Sequence, residues 1–75
     1  MDQHIIDVTL KGHLREIRGR LDQAASLAKA AEACAEAGSV DGGIEVSLDI
    51  EPLLYEAKTL LVASTMMRRF FKDST

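Results

Sequence analysis

Apolar residues recur along the first half of the chain at alternating intervals of four and three residues. This spacing places them on one side of an α-helix and is typical of a helix that packs along another helix. Between Ala24 and Ala37, eight of fourteen residues are alanine, which has the highest helix propensity. The pattern predicts a first helix over residues 6–37, ended by Gly38. Its predicted packing series comprises Leu10, Leu14, Ile17, Leu21, Ala24, Ala28, Ala31 and Ala35.

The second half of the chain repeats this alternation of four and three. It predicts a turn over residues 38–43 and a second helix over residues 44–72, similar to the first in length. Two helices of similar length joined by a short turn favour an antiparallel hairpin, so we predict an all-α fold with a single domain over residues 1–75. The second packing series comprises Val46, Ile50, Leu53, Ala57, Leu60, Ser64, Met67 and Phe71.

Residues 43–50 also allow a different interpretation. From Ile44 to Ile50 apolar and polar residues alternate one by one, as in a half-buried strand, and breakers stand on both sides at Gly43 and Pro52. The four-three spacing nevertheless continues past Pro52, which favours a helix. Because proline is tolerated only in the first turn of a helix, we expect the second helix either to be kinked or to start near Pro52.

A two-helix hairpin of 75 residues cannot enclose its own apolar residues. Disulfides within one chain are excluded, because Cys34 is the only cysteine. Pairing of two hairpins into a four-helix bundle would cover the apolar residues that lie beside the packing series. We therefore predict a homodimer, with an interface that includes Leu27, Leu54, Leu61, Met66 and Phe70.

Charge is sorted along the chain, with net values of +3 over residues 10–20, −7 over residues 30–57 and +3 over residues 58–75. Folding at Gly38 makes the turn end acidic and the open end basic. The charges can simply complement helix dipoles and coat solvated faces. Alternatively, they can align two hairpins with the acidic end of one against the basic end of the other. The predicted basic end comprises Lys11, Arg15, Arg18, Arg68, Arg69 and Lys72.

Candidate chemistry is sparse. His13 and Glu16 share a helical spacing that metal ligands use, but the second helix offers no further histidine. Cys34 lies among acidic residues, which disfavour a reactive thiolate. Gly12 and Gly19 lie seven residues apart on the first helix and indicate either tolerated surface positions or a track for a close partner. We expect no catalytic residue, no metal site and no cofactor.

These patterns favour a non-enzymatic protein that self-associates into a helical bundle and acts through protein–protein interaction. An isoelectric point near 5.2 argues against nucleic acid as the main partner. The alternative is a small regulatory or nucleic-acid-associated dimer that uses its basic end. The longest uncharged run near the C-terminus is too short to cross a membrane, and the N-terminal residues lack the pattern of a signal peptide. We therefore expect a cytoplasmic protein without membrane contact.

Overall fold

The structure, a computed structural model, describes residues 2–73, and the side chains of residues 2–71. It contains three helices: α1 (Gln3–Glu36), α2 (Val40–Ser47) and α3 (Ile50–Asp73). α1 is long, and α2 and α3 together form a second, bent helix that packs back along it. The predicted all-α, hairpin-like fold is thus confirmed. Within residues 2–73, no helix combines the length and the apolar character needed to span a bilayer.

Local sequence signals set both ends of the turn. The N–H groups of Gly38 and Ser39 donate to the carbonyls of Ala35 and Cys34 at 3.0 and 3.1 Å, which closes the end of α1. Gly38 has a φ of +107°, a backbone conformation that is unfavourable for residues with a Cβ. Ser39 then caps α2, because its Oγ accepts from the N–H of Gly42 at 3.1 Å. The predicted turn over 38–43 is therefore too long, since helix resumes at Val40.

Residues 43–47 are helical, so the strand interpretation of this segment is wrong. The break between α2 and α3 falls at Leu48 and Asp49. Proline lacks an N–H, and its ring clashes with the carbonyl four residues earlier, which for Pro52 is the carbonyl of Leu48. Pro52 is the third residue of α3, where a backbone N–H has no partner within the helix in any case. The proline therefore bends the second arm without ending its packing series.

α2 packs closely on the last turns of α1 through a buried glycine. A Cβ placed on Gly43 would lie 2.7 Å from the carbonyl oxygen of Ala31 and 3.3 Å from the Cβ of Ala35. The alanines of α1 and the glycine of α2 together allow the two backbones to approach. Gly19, in contrast, has nothing within 4 Å of such a Cβ.

Two polar pairs link α1 to α3 and fix their register. The Ser64 hydroxyl donates to the carbonyl of Leu60 at 2.8 Å, and the same oxygen lies 2.8 Å from Nδ1 of His13. Because a serine hydroxyl carries one hydrogen, Nδ1 of His13 is the donor in this second bond. Nearer the turn, Nε of Arg20 donates to Glu56 at 2.7 Å. The partner that comes later in α1, Arg20, bonds the residue that comes earlier in α3, Glu56, as an antiparallel hairpin requires.

The hairpin is a narrow rod with extents of 57 × 15 × 12 Å. Its radius of gyration is 17.1 Å, against about 11 Å for a compact domain of this length. Among the described residues, the buried apolar side chains are Ile6, Ala24 and Ala57. The two helices thus bury little more than the strip along which they touch.

We predict that Gly43→Ala lowers the free energy of unfolding by about 1–3 kcal/mol, because the added methyl group meets a backbone carbonyl of α1. The matched control Gly19→Ala should raise it by about 0.5–1 kcal/mol, since that site is open and alanine favours helix. Urea unfolding at one fixed protein concentration measures both. Equal effects of the two substitutions would show that α2 does not pack as described.

We also predict that Ser64→Ala lowers the free energy of unfolding by about 1–3 kcal/mol, because it leaves Nδ1 of His13 without its acceptor. The double variant His13→Leu/Ser64→Ala should recover most of this loss, since both polar partners are then removed. Thr59→Ala is the control, because the Thr59 hydroxyl also bonds the carbonyl four residues earlier and lies outside the cavity beside Ser64. A Ser64→Ala variant as stable as Thr59→Ala would contradict the role of the pair.

Candidate protein-interaction face

The side of α1 that packs inside the hairpin differs from the predicted one. Leu14 and Leu21 are 58% and 44% exposed, and Ala28 is exposed too, although all three belong to the predicted packing series. The packed side follows a second four-three series that shares only part of its members with the predicted one. All of its members are buried or half-buried, namely Ile6, Leu10, His13, Ile17, Arg20, Ala24, Leu27, Ala31 and Cys34.

Polar residues decide how α1 is turned. His13 and Arg20 occupy positions on the packed side, where each bonds a residue of α3. The aliphatic stem of an arginine can cover apolar neighbours while its guanidinium reaches the edge of the contact. Rotating α1 to bury Leu14 and Leu21 would break both bonds between the helices. The predicted series was therefore wrong at Leu14 and Leu21, because it was chosen by hydrophobicity alone.

The exposed leucines of the two arms meet on one side of the rod. Leu14 and Leu61, at 58% and 53% exposure, line the same shallow cavity of about 260 Å³. Leu21 and Leu54 each lie seven residues away on the same helices, and therefore on the same faces. We call these four residues the leucine face. The cavity is completed by Leu10, Ser64, Thr65 and Arg68.

A second apolar stripe runs along α3, and it includes part of the predicted interface. Met66 and Phe70 are 63% and 68% exposed, and their spacing from Tyr55 and Val62 places all four on one side of the helix. We call them the outer stripe. Met66 lies five residues from Leu61, about 140° around α3, so it does not join the leucine face. Leu27, also predicted at the interface, is half-buried on the packed side of α1.

The two ends of the rod carry opposite charge. At the turn end, the acidic tip consists of Glu32, Glu36, Asp41, Glu45, Asp49 and Glu51, all exposed. No ion pair involves these carboxylates within the described residues. At the open end, the predicted basic residues Lys11, Arg15, Arg18, Arg68 and Arg69 are exposed, while the Lys72 side chain lies outside the described part of the chain. Arg18 lies 3.5 Å from Asp22 of the same helix and remains 84% exposed.

The surroundings of Arg20 raise its pKa. It donates to the carboxylates of both Glu16 and Glu56, and these hydrogen bonds, that with Glu16 first, raise its pKa above the ordinary value of arginine. The guanidinium thus stays charged and joins the two helices. Glu16 is engaged in this bridge.

The remaining candidates for chemistry are placed apart. His13 bonds Ser64 rather than sharing a ligand site with Glu16, whose partner is Arg20. Residues 2–73 contain no group of three or more histidine, cysteine or acidic side chains that could hold a metal ion. Cys34 is a half-buried free thiol on the packed side of α1, where it borders Gly42. Gly12 and Gly19 face open space.

Comparison with other proteins gives no direct guide to function. No protein-family model, no curated protein and no solved structure matches the chain. The geometry of the hairpin, above all its leucine face, is therefore the basis for assigning a role.

Proposed function

We propose that this protein is a non-enzymatic homodimer, in which two hairpins pair through their leucine faces into a four-helix bundle that acts through protein–protein interaction. The observation that carries this proposal is the uncovered leucine face. Its residues lie on both arms of the hairpin and run along the rod at intervals of one heptad, which is the arrangement of a helix-bundle contact.

The area of uncovered surface supports a partner of the same size. The chain exposes 5816 Å², whereas a folded monomer of 8.2 kDa typically exposes about 4,500 Å². The excess of about 1,300 Å² is more than the roughly 800 Å² that each partner contributes to a standard interface. A second copy of the hairpin can cover this area symmetrically, because an isologous contact needs one self-complementary patch.

The geometry of the rod also suits this partner. Two hairpins laid face to face place four helices around one apolar centre, at the 8–10 Å separations that packed helices adopt. The leucines of both copies then become the core that each monomer lacks. Burial of the apolar part of this surface favours association by about 25 cal/mol per Å², from which the entropic cost of binding is subtracted.

The exposed basic end supports a second candidate function, a regulatory or nucleic-acid-associated dimer. Lys11, Arg15 and Arg68 are free to meet phosphates in such a complex. The acidic tip and the net charge of −3 oppose it, because long-range repulsion slows the approach of a polyanion. Protein–protein interaction therefore remains the preferred role.

We predict that Leu61→Arg converts the dimer into a monomer, raising the dissociation constant at least tenfold, because it buries charge in an apolar contact. Light scattering after size exclusion should show the mass falling to 8.2 kDa from twice that value. Leu61→Arg should keep the helical circular dichroism of the parent, since the Leu61 side chain is exposed in the single hairpin.

The matched control is Val62→Arg. Val62 is 47% exposed against 53% for Leu61 and lies on the outer stripe, about 100° around α3. This variant should remain dimeric. Dissociation of the two variants to the same degree would place the interface elsewhere, and a dimeric Leu61→Arg protein would exclude the leucine face.

A further inference from the structure

We infer that the two copies lie tip to base, with the acidic tip of each hairpin against the basic end of the other, and that Lys11–Glu32 and Lys58–Glu51 are the charge pairs between copies. This inference rests on the proposed dimer and adds its orientation and register. It follows from the charges that border the leucine face.

A row of residues at intervals of seven borders the face on each helix. On α1 the row contains Lys11 near the open end, then Arg18 and Ala25, and Glu32 near the turn. Lys11 lies three residues from Leu14. On α3 it contains Glu51 near the turn, then Lys58 and Thr65; Thr65 lines the same cavity as the leucines. In both rows the lysine therefore lies on the open-end side of the glutamate.

Four charges of the two rows are available to a second copy. Lys11, Glu32, Glu51 and Lys58 are all exposed, and within the described residues none of them forms an ion pair. Arg18 already pairs with Asp22 of its own helix, and tip to base it would face the uncharged Ala25. If the copies lay parallel, the two-fold axis would run along the rod and set α1 of one copy against α3 of the other. At the level fixed by Arg20 and Glu56, Lys58 would then face Arg18 and no lysine would face a glutamate. Placed tip to base, every one of these charges faces the opposite sign.

The two rows agree on the position of the two-fold axis. On α1, the midpoint of Lys11 and Glu32 falls between Leu21 and Asp22. On α3, the midpoint of Glu51 and Lys58 falls beside Leu54.

The pairing of Arg20 with Glu56 shows that these two midpoints lie level with each other. Counting five residues beyond Arg20 on α1 and five before Glu56 on α3 puts Glu51 level with Ala25. The midpoint on α3 then coincides with the midpoint on α1, and the His13–Ser64 pair gives the same level within one residue. One two-fold axis thus satisfies both charge pairs and sets Leu21 and Leu54 beside their own counterparts in the second copy.

The orientation can be measured as a distance. A spin label on Glu36→Cys, in a Cys34→Ala chain, should give a separation of about 45 Å between copies, from 1.5 Å per residue on either side of the axis. A parallel dimer would give less than about 25 Å, since packed helices lie 8–10 Å apart. A short distance would overturn the inference while leaving the proposed dimer intact.

Charge reversal tests the pairs without a label. Lys11→Glu/Lys58→Glu should raise the dissociation constant of the dimer about tenfold or more, because attraction becomes repulsion at each contact. Adding Glu32→Lys/Glu51→Lys to the same chain should restore the parent value. The control Arg15→Glu/Arg69→Glu changes the net charge equally but lies outside the two rows, and should have a smaller effect than the first pair.

The results separate the two proposals. A parent chain that remains monomeric would contradict the proposed dimer itself. If the parent is dimeric but Lys11→Glu/Lys58→Glu leaves its dissociation constant unchanged, only the tip-to-base arrangement is contradicted. The same holds if the chain with all four charges reversed does not recover the parent dissociation constant.

Discussion

Two helices can bury only the strip along which they touch, and every other feature of this protein depends on that constraint. The rod is 57 Å long and only 15 × 12 Å across, so no residue lies far from its surface. Glycine and alanine shorten the distance between the backbones of α1 and α2, since Gly43 packs against the carbonyl of Ala31. Close approach of the backbones tightens the hairpin but adds little apolar burial. The large apolar side chains are left exposed on the outside of the rod, and this exposure is the basis for the proposed contact with a second copy.

The polar pairs between the arms decide which apolar residues are left outside. His13 bonds Ser64 and Arg20 bonds Glu56, so α1 presents these positions to α3. Leu14 and Leu21 are thereby turned to the side on which Leu61 is also exposed. Polar groups at a packing strip fix register because they have few alternative partners, whereas leucines can slide past one another. The same choice creates the leucine face and aligns its two halves.

The helical arms, the capping role of Gly38 and the packing series of the second arm were predictable from sequence, because each depends on short-range spacing or on one backbone conformation. Pro52 made a bend in the second arm predictable. The short turn was not predictable, because a glycine such as Gly43 can either interrupt a helix or allow close packing within one. The packed side of α1 was mispredicted because two four-three series share Leu10, Ile17, Ala24 and Ala31 and differ only at the positions between them. Hydrophobicity favours Leu14 and Leu21 at these positions, whereas partners distant in sequence favour His13 and Arg20. Met66 and Phe70 were grouped with Leu61 for a related reason, since exposure alone does not say which stripe a residue joins.

The central claim is that the leucine face is covered by a second copy of the chain. Sedimentation equilibrium of the unaltered protein across the micromolar range tests it most directly, because the method reports mass without assuming shape, and this molecule is far from spherical. The account predicts a mass that rises with concentration toward twice 8.2 kDa and levels off there. A mass that stays at 8.2 kDa over the whole range would contradict it.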